Sequence, residues 1–352
     1  MAAKPRFDGE WVRLGELCSP KQWRSLKQSE MTPDGYPVYG ANGVIGRYPE
    51  YNHAEETILV GCRGTCGEVN LCAPFSYVTS NAMCLDGLSE HVDRDYLLCF
   101  LKAYDFGKVI GGTSQPQITK AGISSIEVPL FSLEKQIAVR LRLKAVLDAL
   151  GLRETLLEKL DTLVKSRFVE MFGNDSLVER AQLKDICSLI TDGTHQSPRF
   201  QGEGIPFLFV SNIADNKISY ETTKFISKED YEALIARTPI EVGDVLVSAV
   251  GSFGHPAIVK DERPFCFQRH IAYLKPIRER VNSSFLHAAL LSEESQQYMD
   301  KAAKGAAQRT VTLRSFKDLA VPLPPLALQQ EFADFAARVD KSRFVVRNKS
   351  QL

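Results

Sequence analysis

The 352-residue sequence lacks a net charge, because 43 Lys and Arg residues balance 43 Asp and Glu residues. Any attraction to nucleic acid must therefore come from local basic loops. No apolar run approaches the roughly 18 residues of a membrane span, and none follows the basic residues near the N-terminus. We therefore expect a cytoplasmic protein without a membrane partner, long enough for two ordinary domains.

Short catalytic signatures are also missing. The sequence contains no GxxxxGK[ST] loop, no GxGxxG after a strand, no HExxH and no GxSxG elbow. The proline run VPLPPL differs from the motif of amino-methyltransferases, since Leu323 offers no polar acceptor and Leu326 no aromatic platform for a flipped base. We expect no catalytic residue in this chain, so it is not predicted to be an enzyme by itself.

The eight cysteines form no small disulfide framework. Most lie among strand-like apolar residues, as reduced core thiols do; examples are Cys84, Cys99, Cys187 and Cys266. Cys62, Cys66 and Cys72, with His53 upstream, approach metal-ligand spacing, but neighbouring strand residues face opposite sides. The matching stretch of the second half carries no ligand set. The prediction is therefore buried thiols and no metal.

What the sequence does contain is a duplication. VPLFSLEKQ from Val128 recurs as VPLPPLALQ from Val321, 193 residues later. The shared positions are Gly112, Gln115, Thr119, Val128, Pro129, Leu130, Leu133 and Gln136, which recur as Gly305, Gln308, Thr312, Val321, Pro322, Leu323, Leu326 and Gln329. LGELCSP from Leu14 likewise matches LKDICSL from Leu183, and ILVGCRGTCG from Ile58 resembles VLVSAVGSFG from Val245. The offset between copies changes along the chain, as insertions in surface loops would cause.

Each half predicts the same order of elements: an opening strand, a variable loop region, a GxP turn, a strand with a GxxG hairpin, another strand, a short helix and the VPL strand. The short helices are expected over residues 95–106 and 283–299. The predicted fold is α+β, with two tandem α/β domains, each followed by a long helix. The expected boundaries are 1–131 for the first domain, 132–174 for the central helix, 175–324 for the second domain and 325–352 for the distal helix.

The central helix shows a heptad pattern that predicts a coiled coil. From Leu133 to Phe172 only Gly151 interrupts a sequence free of Gly and Pro, a length of roughly 60 Å. Apolar residues recur at sevens at Leu143, Leu150, Leu157, Val164 and Met171, with Leu147, Leu160 and Leu163 beside them. The distal helix offers Phe332, Phe335 and Val339, and also Phe344 and Val345, for antiparallel pairing. The alternative is that each helix packs on its own domain, but forty residues overrun one domain's face. The predicted coiled-coil and subunit-docking residues are Leu143, Leu150, Leu157, Leu160, Val164, Phe332, Phe335 and Val339.

Polar loops lie between the segments that recur in both halves, which form the shared framework. These loops carry side chains suited to DNA. Arg reads guanine and Gln or Asn reads adenine through paired hydrogen bonds, whereas Lys and Ser suit phosphates. The halves agree in framework and differ in these loops, as expected if one scaffold reads two sequences. The shared Gly112, Gln115 and Thr119 suit capping or phosphate contact better. The DNA-binding candidates are Lys21, Trp23, Arg24, Lys27, Asn42, Arg63, Gln115, Thr194, His195, Gln196, Arg199, Ser252, His255, Arg269, Gln308 and Arg309.

Four segments carry a resemblance to a known family: VPLPPLALQQEFADFAARVDKSRF from Val321, SRFVEMFG from Ser166, LITDGTHQSPRF from Leu189 and GDVLVSAVGSFG from Gly243. The chain resembles the DNA specificity (S) subunit of type I restriction-modification systems over nearly its whole length. The resemblance implies target-recognition domains that read a bipartite asymmetric site in double-stranded DNA, and long helices that set the spacer and dock two modification subunits.

The resemblance also implies that cofactors belong to the partners. The modification subunits would use S-adenosylmethionine to methylate adenine N6, and restriction subunits would use ATP and Mg²⁺. Unlike family members, which usually continue further, the distal helix ends opposite Lys159, so it is expected to be short or truncated. Two alternatives stay open: a stand-alone restriction or methylation enzyme, and a coiled-coil adaptor without DNA binding.

Overall fold

The computed structural model describes residues 7–112, 115–173, 178–305 and 308–348. They form two compact units, Met1–Gly151 and Leu152–Leu352. Each unit has its own buried core of strands and helices. The 40-residue central helix begins in the first unit and ends in the second, so its two portions are described with the unit to which they belong.

The first unit contains short strands and four helices. In chain order they are β1 (Glu10–Arg13), α1 (Leu14–Leu17), β2 (Ser19–Lys21), β3 (Tyr36–Gly40), β4 (Gly43–Tyr48), β5 (Ile58–Gly61), β6 (Val69–Leu71), β7 (Tyr77–Val78), β8 (Ala82–Asp86), α2 (Arg94–Ala103), β9 (Ile110–Gly111), β10 (Gln117–Ile118), α3 (Lys120–Ser124), β11 (Glu127–Leu130) and α4 (Leu133–Phe172). Two 3-10 turns cover Gln28–Glu30 and Phe106–Lys108.

The main sheet of the first unit has the order β2-β8-β5-β6, with antiparallel neighbours. A second sheet has the order β4-β3-β7, in which β3 runs antiparallel to β4 and parallel to β7. Strand β1 pairs with β11, so that Val12 lies opposite Val128. Helix α2 is capped by Asp93, whose carboxylate accepts a hydrogen bond from the Tyr96 N–H.

The second unit repeats this order with its own insertions. Its elements are β12 (Arg180–Gln182), α5 (Leu183–Ile186), β13 (Cys187–Asp192), β14 (Ile205–Leu208), β15 (Phe225–Ile226), α6 (Lys228–Ile235), β16 (Val245–Ser248), β17 (Pro256–Ile258), β18 (Cys266–Phe267), β19 (Ile271–Pro276), α7 (Ser283–Leu291), α8 (Glu293–Ala302), α9 (Leu313–Asp318), β20 (Ala320–Pro322) and α10 (Leu326–Asn348). A 3-10 turn covers Val210–Asn212.

The main sheet of the second unit matches that of the first, strand for strand. The order β13-β19-β16-β17 corresponds to β2-β8-β5-β6, and β12 pairs with β20 as β1 pairs with β11. Strand β14 pairs in parallel with β18 as β3 does with β7. The second neighbour of β14 differs from that of β3. Strand β3 pairs with β4 in a hairpin, whereas β14 pairs with β15, which follows a longer connection and precedes α6. This longer connection accounts for part of the change in the sequence offset between the two copies.

Within the second unit, the end of α4 pairs with α10 in antiparallel fashion. The rings of Phe168 and Phe172 contact Phe332 near the start of α10, with centroids 5.4 and 5.9 Å apart. Further along α10, Arg343 forms an ion pair with Asp161, an earlier residue of α4, at 2.5 Å. The predicted pairing of the two helices is confirmed.

Several details of the sequence prediction were wrong. The opening segment of each half holds a short helix as well as strands. The second short helix is two helices, since Ser292 ends α7 and caps α8 through its hydroxyl, which accepts from the Ser295 N–H. Cys99 lies on helix α2 and is half-buried, not among strand residues. Phe344 and Val345 are exposed, so the packed face of α10 is formed by earlier residues.

The two portions of α4 also differ in the burial of the heptad residues. Leu157, Leu160, Val164 and Met171 are half-buried in the second unit, whereas Leu163 is exposed. The earlier heptad residues are exposed too: Leu143, Leu147 and Leu150. No helix within the described ranges carries an apolar stretch that could cross a membrane.

Candidate nucleic-acid interface

Several loops of the first unit meet where strand β5 ends. The backbone N–H groups of Cys62 and Arg63 donate to the carbonyl oxygen of Asn81 at 2.9 and 3.4 Å. Arg63 also pairs with Gln117 in an isolated antiparallel bridge. The turn after β5, the loop before β8 and strand β10 are thus held together by backbone bonds. These bonds leave the Arg63, Asn81 and Gln117 side chains exposed.

Two more loops reach the same place. The side-chain amide of Gln22 donates to the Ser80 carbonyl oxygen at 2.8 Å. A Cβ atom at Gly61 would lie 2.7 Å from the Ala41 carbonyl oxygen, which puts the β3–β4 turn and Asn42 beside β5. The gathered loops carry the candidates Lys21, Trp23, Arg24, Lys27, Asn42, Arg63 and Gln115.

The second unit repeats the framework bonds at equivalent positions. The Ala249 N–H donates to the His270 carbonyl at 2.9 Å, as Cys62 does to its partner in the first unit. Val250 bridges Thr310 in the position of the first unit's Arg63 bridge. Since the same backbone bonds form with different side chains, the framework does not depend on the identity of the exposed residues.

The remaining loops of the second unit join this framework through Thr194. Thr194 forms a parallel bridge with Gln268, and its carbonyl accepts from the Arg269 N–H at 3.0 Å. The Gly251 N–H donates to the Arg309 carbonyl at 2.9 Å. These contacts gather the candidates Thr194, His195, Gln196, Ser252, Arg269, Gln308 and Arg309. Arg199 lies further along the 193–200 loop and is exposed.

Some candidates are engaged in holding the protein itself. Trp23 is half-buried, and its Nε1–H donates to a carboxylate oxygen of Asp86 at 3.2 Å. Arg24 forms an ion pair with Glu30. The Lys21 ammonium stacks over the Trp23 ring, 3.6 Å from its centroid. These interactions hold the 21–30 loop in shape and engage the polar groups of the three residues within the protein.

The same distinction applies in the second unit. Both ring nitrogens of His255 are bonded, Nε2 to the Ser252 hydroxyl at 3.0 Å and Nδ1 to the Asn216 amide oxygen at 3.1 Å. Arg309 pairs with Asp300 at 2.7 Å and stacks over Phe253. We therefore infer a positioning role for His255 and Arg309.

Sequence reasoning missed an electrostatic network in the second unit. Asp192 binds both His195, at 2.9 Å, and Arg237, at 3.0 Å. Arg237 comes from the segment just after α6, far away in sequence, so no local pattern could reveal it. His270, which the sequence places beside Arg269 among these polar loop residues, has a pKa lowered by burial and by the nearby Arg269, so its imidazole is neutral near pH 7.

The recurring threonines cap helices. The Thr119 hydroxyl accepts from the Gly122 N–H at the start of α3, and Thr312 does the same for the Ser315 N–H of α9. The capping role expected for this repeated position is thus present in both copies, next to the interface loops.

The VPL segment is present in both halves, and its last residue, Gln136 or Gln329, has the same structural role in each. Gln136 is fully buried; its side-chain oxygen accepts from the Asp93 N–H at 2.8 Å, and its amide donates to the carbonyls of His91 and Phe131. Gln329 makes the equivalent bonds in the second unit, as described below. Each copy ties the start of a long helix to the loop before α2 or α7.

Comparison with known proteins places the duplicated fold in a family. The model of the Type I restriction modification DNA specificity domain matches residues 8–162 and again residues 176–350. The chain therefore belongs to this family of DNA specificity domains. This identification confirms the predicted resemblance and the non-catalytic class of subunit, and the double match coincides with the two copies in the sequence.

Individual relatives agree with the family. The chain is 30% identical over 129 residues to the type I restriction enzyme EcoBI specificity subunit of Escherichia coli, a match that covers 37% of this chain and 27% of that protein. It is 20% identical to the MjaVIII specificity subunit of Methanocaldococcus jannaschii, across 98% of this chain and 89% of that one. The crystal structure of the type I S subunit from M. genitalium shares the fold, with a TM-score of 0.64 at 18% identity, covering 99% of this chain and 94% of that chain.

Proposed function

We propose that this chain reads a bipartite DNA target, one half-site with each unit. The observation that carries the proposal is the repeated framework at the ends of β5 and β16, where equivalent backbone bonds carry different side chains. Arg63 stands where the second unit has Val250, and Ser80 stands where it has Arg269. A scaffold that keeps its backbone and changes its exposed polar groups suits the reading of two different sequences.

The side chains available to each unit suit major-groove recognition. In the first unit Arg63 suits guanine, and Asn42 and Asn81 suit adenine. In the second unit Arg269 suits guanine and Gln196 suits adenine, and Thr194 suits phosphate or base contact. With zero net charge, these local groups have to supply the attraction to DNA.

The proposal extends to partners. Two modification subunits would dock on the helical segments, carry S-adenosylmethionine and methylate adenine N6, while restriction subunits would use ATP and Mg²⁺. The exposed apolar residues Leu143, Leu147 and Leu150 of α4 support this docking, because a row of exposed leucines is a surface that a partner helix can cover. The family membership supports the class of partner.

The test is single-molecule sequencing of N6-methyladenine in a host that carries this chain with its modification partner. A methylated motif of two short halves separated by a fixed spacer is expected, and it should disappear when this chain is deleted. A purified chain that cleaves or methylates DNA alone would favour a stand-alone enzyme. A chain with no salt-dependent affinity for duplex DNA would favour an adaptor.

Arg63→Ala provides the residue-level arm of the test. It should relax the first half of the motif and leave the second half unchanged, since Arg63 belongs to the first unit alone. Arg13→Ala, at an exposed position of strand β1 in the same unit, is the matched arginine control. Loss of both half-sites with Arg63→Ala would contradict the assignment of one half to each unit.

A further inference from the structure

Three metal-ligating side chains meet in the first unit outside the interface loops. The side-chain ligand atoms of His53, Cys84 and Asp86 all lie within 4.8 Å of one another. Strand β8 places Cys84 and Asp86 two residues apart on one face of the sheet. His53 arrives on the segment that bridges Ser76. Cys84 is fully buried and His53 is 8% exposed.

The hydrogen bonds around His53 fix its tautomer. The Asn52 amide is held in one orientation, because its oxygen accepts from the Val78 N–H at 2.8 Å and its nitrogen donates to the Val78 carbonyl at 3.0 Å. His53 Nδ1 lies 2.7 Å from that same Asn52 oxygen and must therefore donate to it. A neutral imidazole carries a single N–H proton, and in His53 that proton is on Nδ1, so Nε2 has none.

The other ring nitrogen then faces a carboxylate. His53 Nε2 lies 3.0 Å from Asp86 Oδ1, while Asp86 Oδ2 accepts from the Trp23 indole. In the neutral imidazole both Nε2 and Oδ1 are acceptors, so a positive species has to lie between them. It is either a proton, carried by the ring or by the carboxyl group, or a metal cation.

The third ligand favours the metal. The Cys84 sulfur adds a soft donor, which a proton on Nε2 does not need but a zinc ion does. A ligand histidine that donates its other N–H to a carbonyl-type oxygen is the usual outer arrangement of a zinc site. Ligand bonds of about 2.0–2.3 Å at tetrahedral angles require ligand atoms roughly 3.3–3.8 Å apart. The 3.0 Å pair would open by a few tenths of an ångström, and the wider separations, which reach at most 4.8 Å, would close by about 1 Å or less.

We propose that His53, Cys84 and Asp86 bind one zinc ion, with a water molecule as the fourth ligand on the partly exposed side of Asp86. Binding forms a zinc–sulfur bond and releases the Cys84 thiol proton to solvent, which balances the charge. The second unit fills the equivalent positions with Tyr273 and Lys275, which bond to Asp244 at 2.6 and 3.5 Å and need no cation. The site is thus particular to the first unit.

Zinc at this site would fasten the 21–30 loop. Asp86 holds the Trp23 indole, and Lys21 lies opposite Cys84 in the β2–β8 register while stacking over Trp23. The consequence for DNA rests on the proposed function: chelation should weaken recognition of the first half-site and leave the second unaffected. Zinc content can be measured without DNA.

The test is metal analysis of the full chain, equilibrated with micromolar zinc and freed of excess by gel filtration. The wild-type chain is expected to retain close to one zinc ion, and Cys84→Ser and His53→Gln should each lose it. Cys266→Ser is the matched control, because Cys266 is also a buried strand cysteine but lies in the second unit. Circular dichroism shows whether each variant is folded.

Cobalt gives a second readout. Cobalt(II) bound to the wild-type chain and to Cys266→Ser should show a near-ultraviolet thiolate charge-transfer band, which Cys84→Ser should lack. A folded wild-type chain that retains no zinc, or a cobalt band that persists in Cys84→Ser, would overturn the site. Retained zinc in a chain that does not bind DNA would overturn the proposed function and leave the zinc site standing.

Discussion

At the scale of single residues, the buried glutamine at the start of each long helix bonds three backbone groups through its side chain. Gln329 is fully buried; its side-chain oxygen accepts from the Asn282 N–H at 2.8 Å, and its amide donates to the carbonyls of Arg280 and Pro324 at 3.1 and 2.7 Å. A buried polar side chain is tolerated only when its groups are bonded. This one side chain therefore links helix α10, the proline run and the cap of α7.

Gln329→Leu tests this link. The variant leaves one N–H and two carbonyl groups without their partner, and we expect the free energy of unfolding to fall by about 2–3 kcal/mol. Urea unfolding followed by circular dichroism measures the change. The neighbouring Gln330 is exposed, so Gln330→Ala should cost within about 0.5 kcal/mol. Equal losses for the two variants would show that burial of Gln329 contributes nothing special.

His287 on α7 predicts a pH dependence of stability. Its Nε2–H is shared between the carbonyls of Asn216 and Pro256, at 3.2 and 3.1 Å. Burial lowers its pKa below the ordinary value of 6.5 and outweighs the two carbonyl hydrogen bonds, which raise it; Lys260 lowers the pKa further, and Asp340 raises it. The folded protein thus binds fewer protons at this site than the unfolded chain, so this contribution to stability is present above about pH 6.5 and decreases as the pH falls below it.

His287→Gln keeps a donor at this position and removes the titration. Between pH 7.5 and pH 5.5 the wild-type chain should lose more unfolding free energy than the variant, as measured by urea unfolding at each pH. His91→Gln is a matched control, because His91 is exposed. Parallel pH profiles for the wild-type chain and His287→Gln would contradict the assignment.

At the scale of elements, the pairing of α4 with α10 depends on aromatic rings. Phe168, Phe172, Phe285 and Phe332 form one buried cluster, with ring centroids 5.0 to 6.4 Å apart. Phe168→Ala should destabilise the chain by about 3–5 kcal/mol, since it leaves a cavity in this cluster. Leu163→Ala on the exposed face of the same helix should cost less than about 1 kcal/mol. Thermal or urea unfolding distinguishes them, and similar losses would place the packed face elsewhere on α4.

The helices also show how far sequence reasoning reaches. The absence of proline and the heptads predicted α4 with its observed bounds, Leu133–Phe172. The heptad rule did not single out Phe168 and Phe172, because their burial depends on Phe285 of α7, which no periodicity within α4 can reveal. A heptad period identifies an apolar stripe on a helix but not the element that covers the stripe. The heptad rule therefore could not predict that Leu143 and Leu150 are exposed.

For the candidate site, too, sequence reasoning predicted the features set by local sequence and missed those that depend on distant residues. Repeats identified the turns after β5 and β16 and the capping threonines, because such positions have local backbone requirements. Asn81 and Arg237 were missed, since they reach the loops through bonds between residues distant in sequence. Trp23 was selected as a DNA contact, yet its indole bonds to Asp86, a partner 63 residues away.

At the scale of the whole molecule, the two units are copies with independent loops. Each unit closes its own framework, through β1 with β11 and through β12 with β20. The segment from Gly35 to Pro129 carries Asn42, Arg63 and Gln115 within the first framework. Exchanging it for the equivalent segment of another family member should therefore change the first half of the methylated motif and preserve the second half.

The reciprocal exchange, from Gly204 to Pro322, should change only the second half, because it replaces the loops gathered at the end of β16 and leaves those of β5 untouched. Methylome sequencing of the two chimeras, each with the same modification partner, compares the halves directly. The spacer should stay the same in both, since neither exchange alters α4. A chimera in which both halves change would mean that the loops of one unit contribute to reading the other half-site.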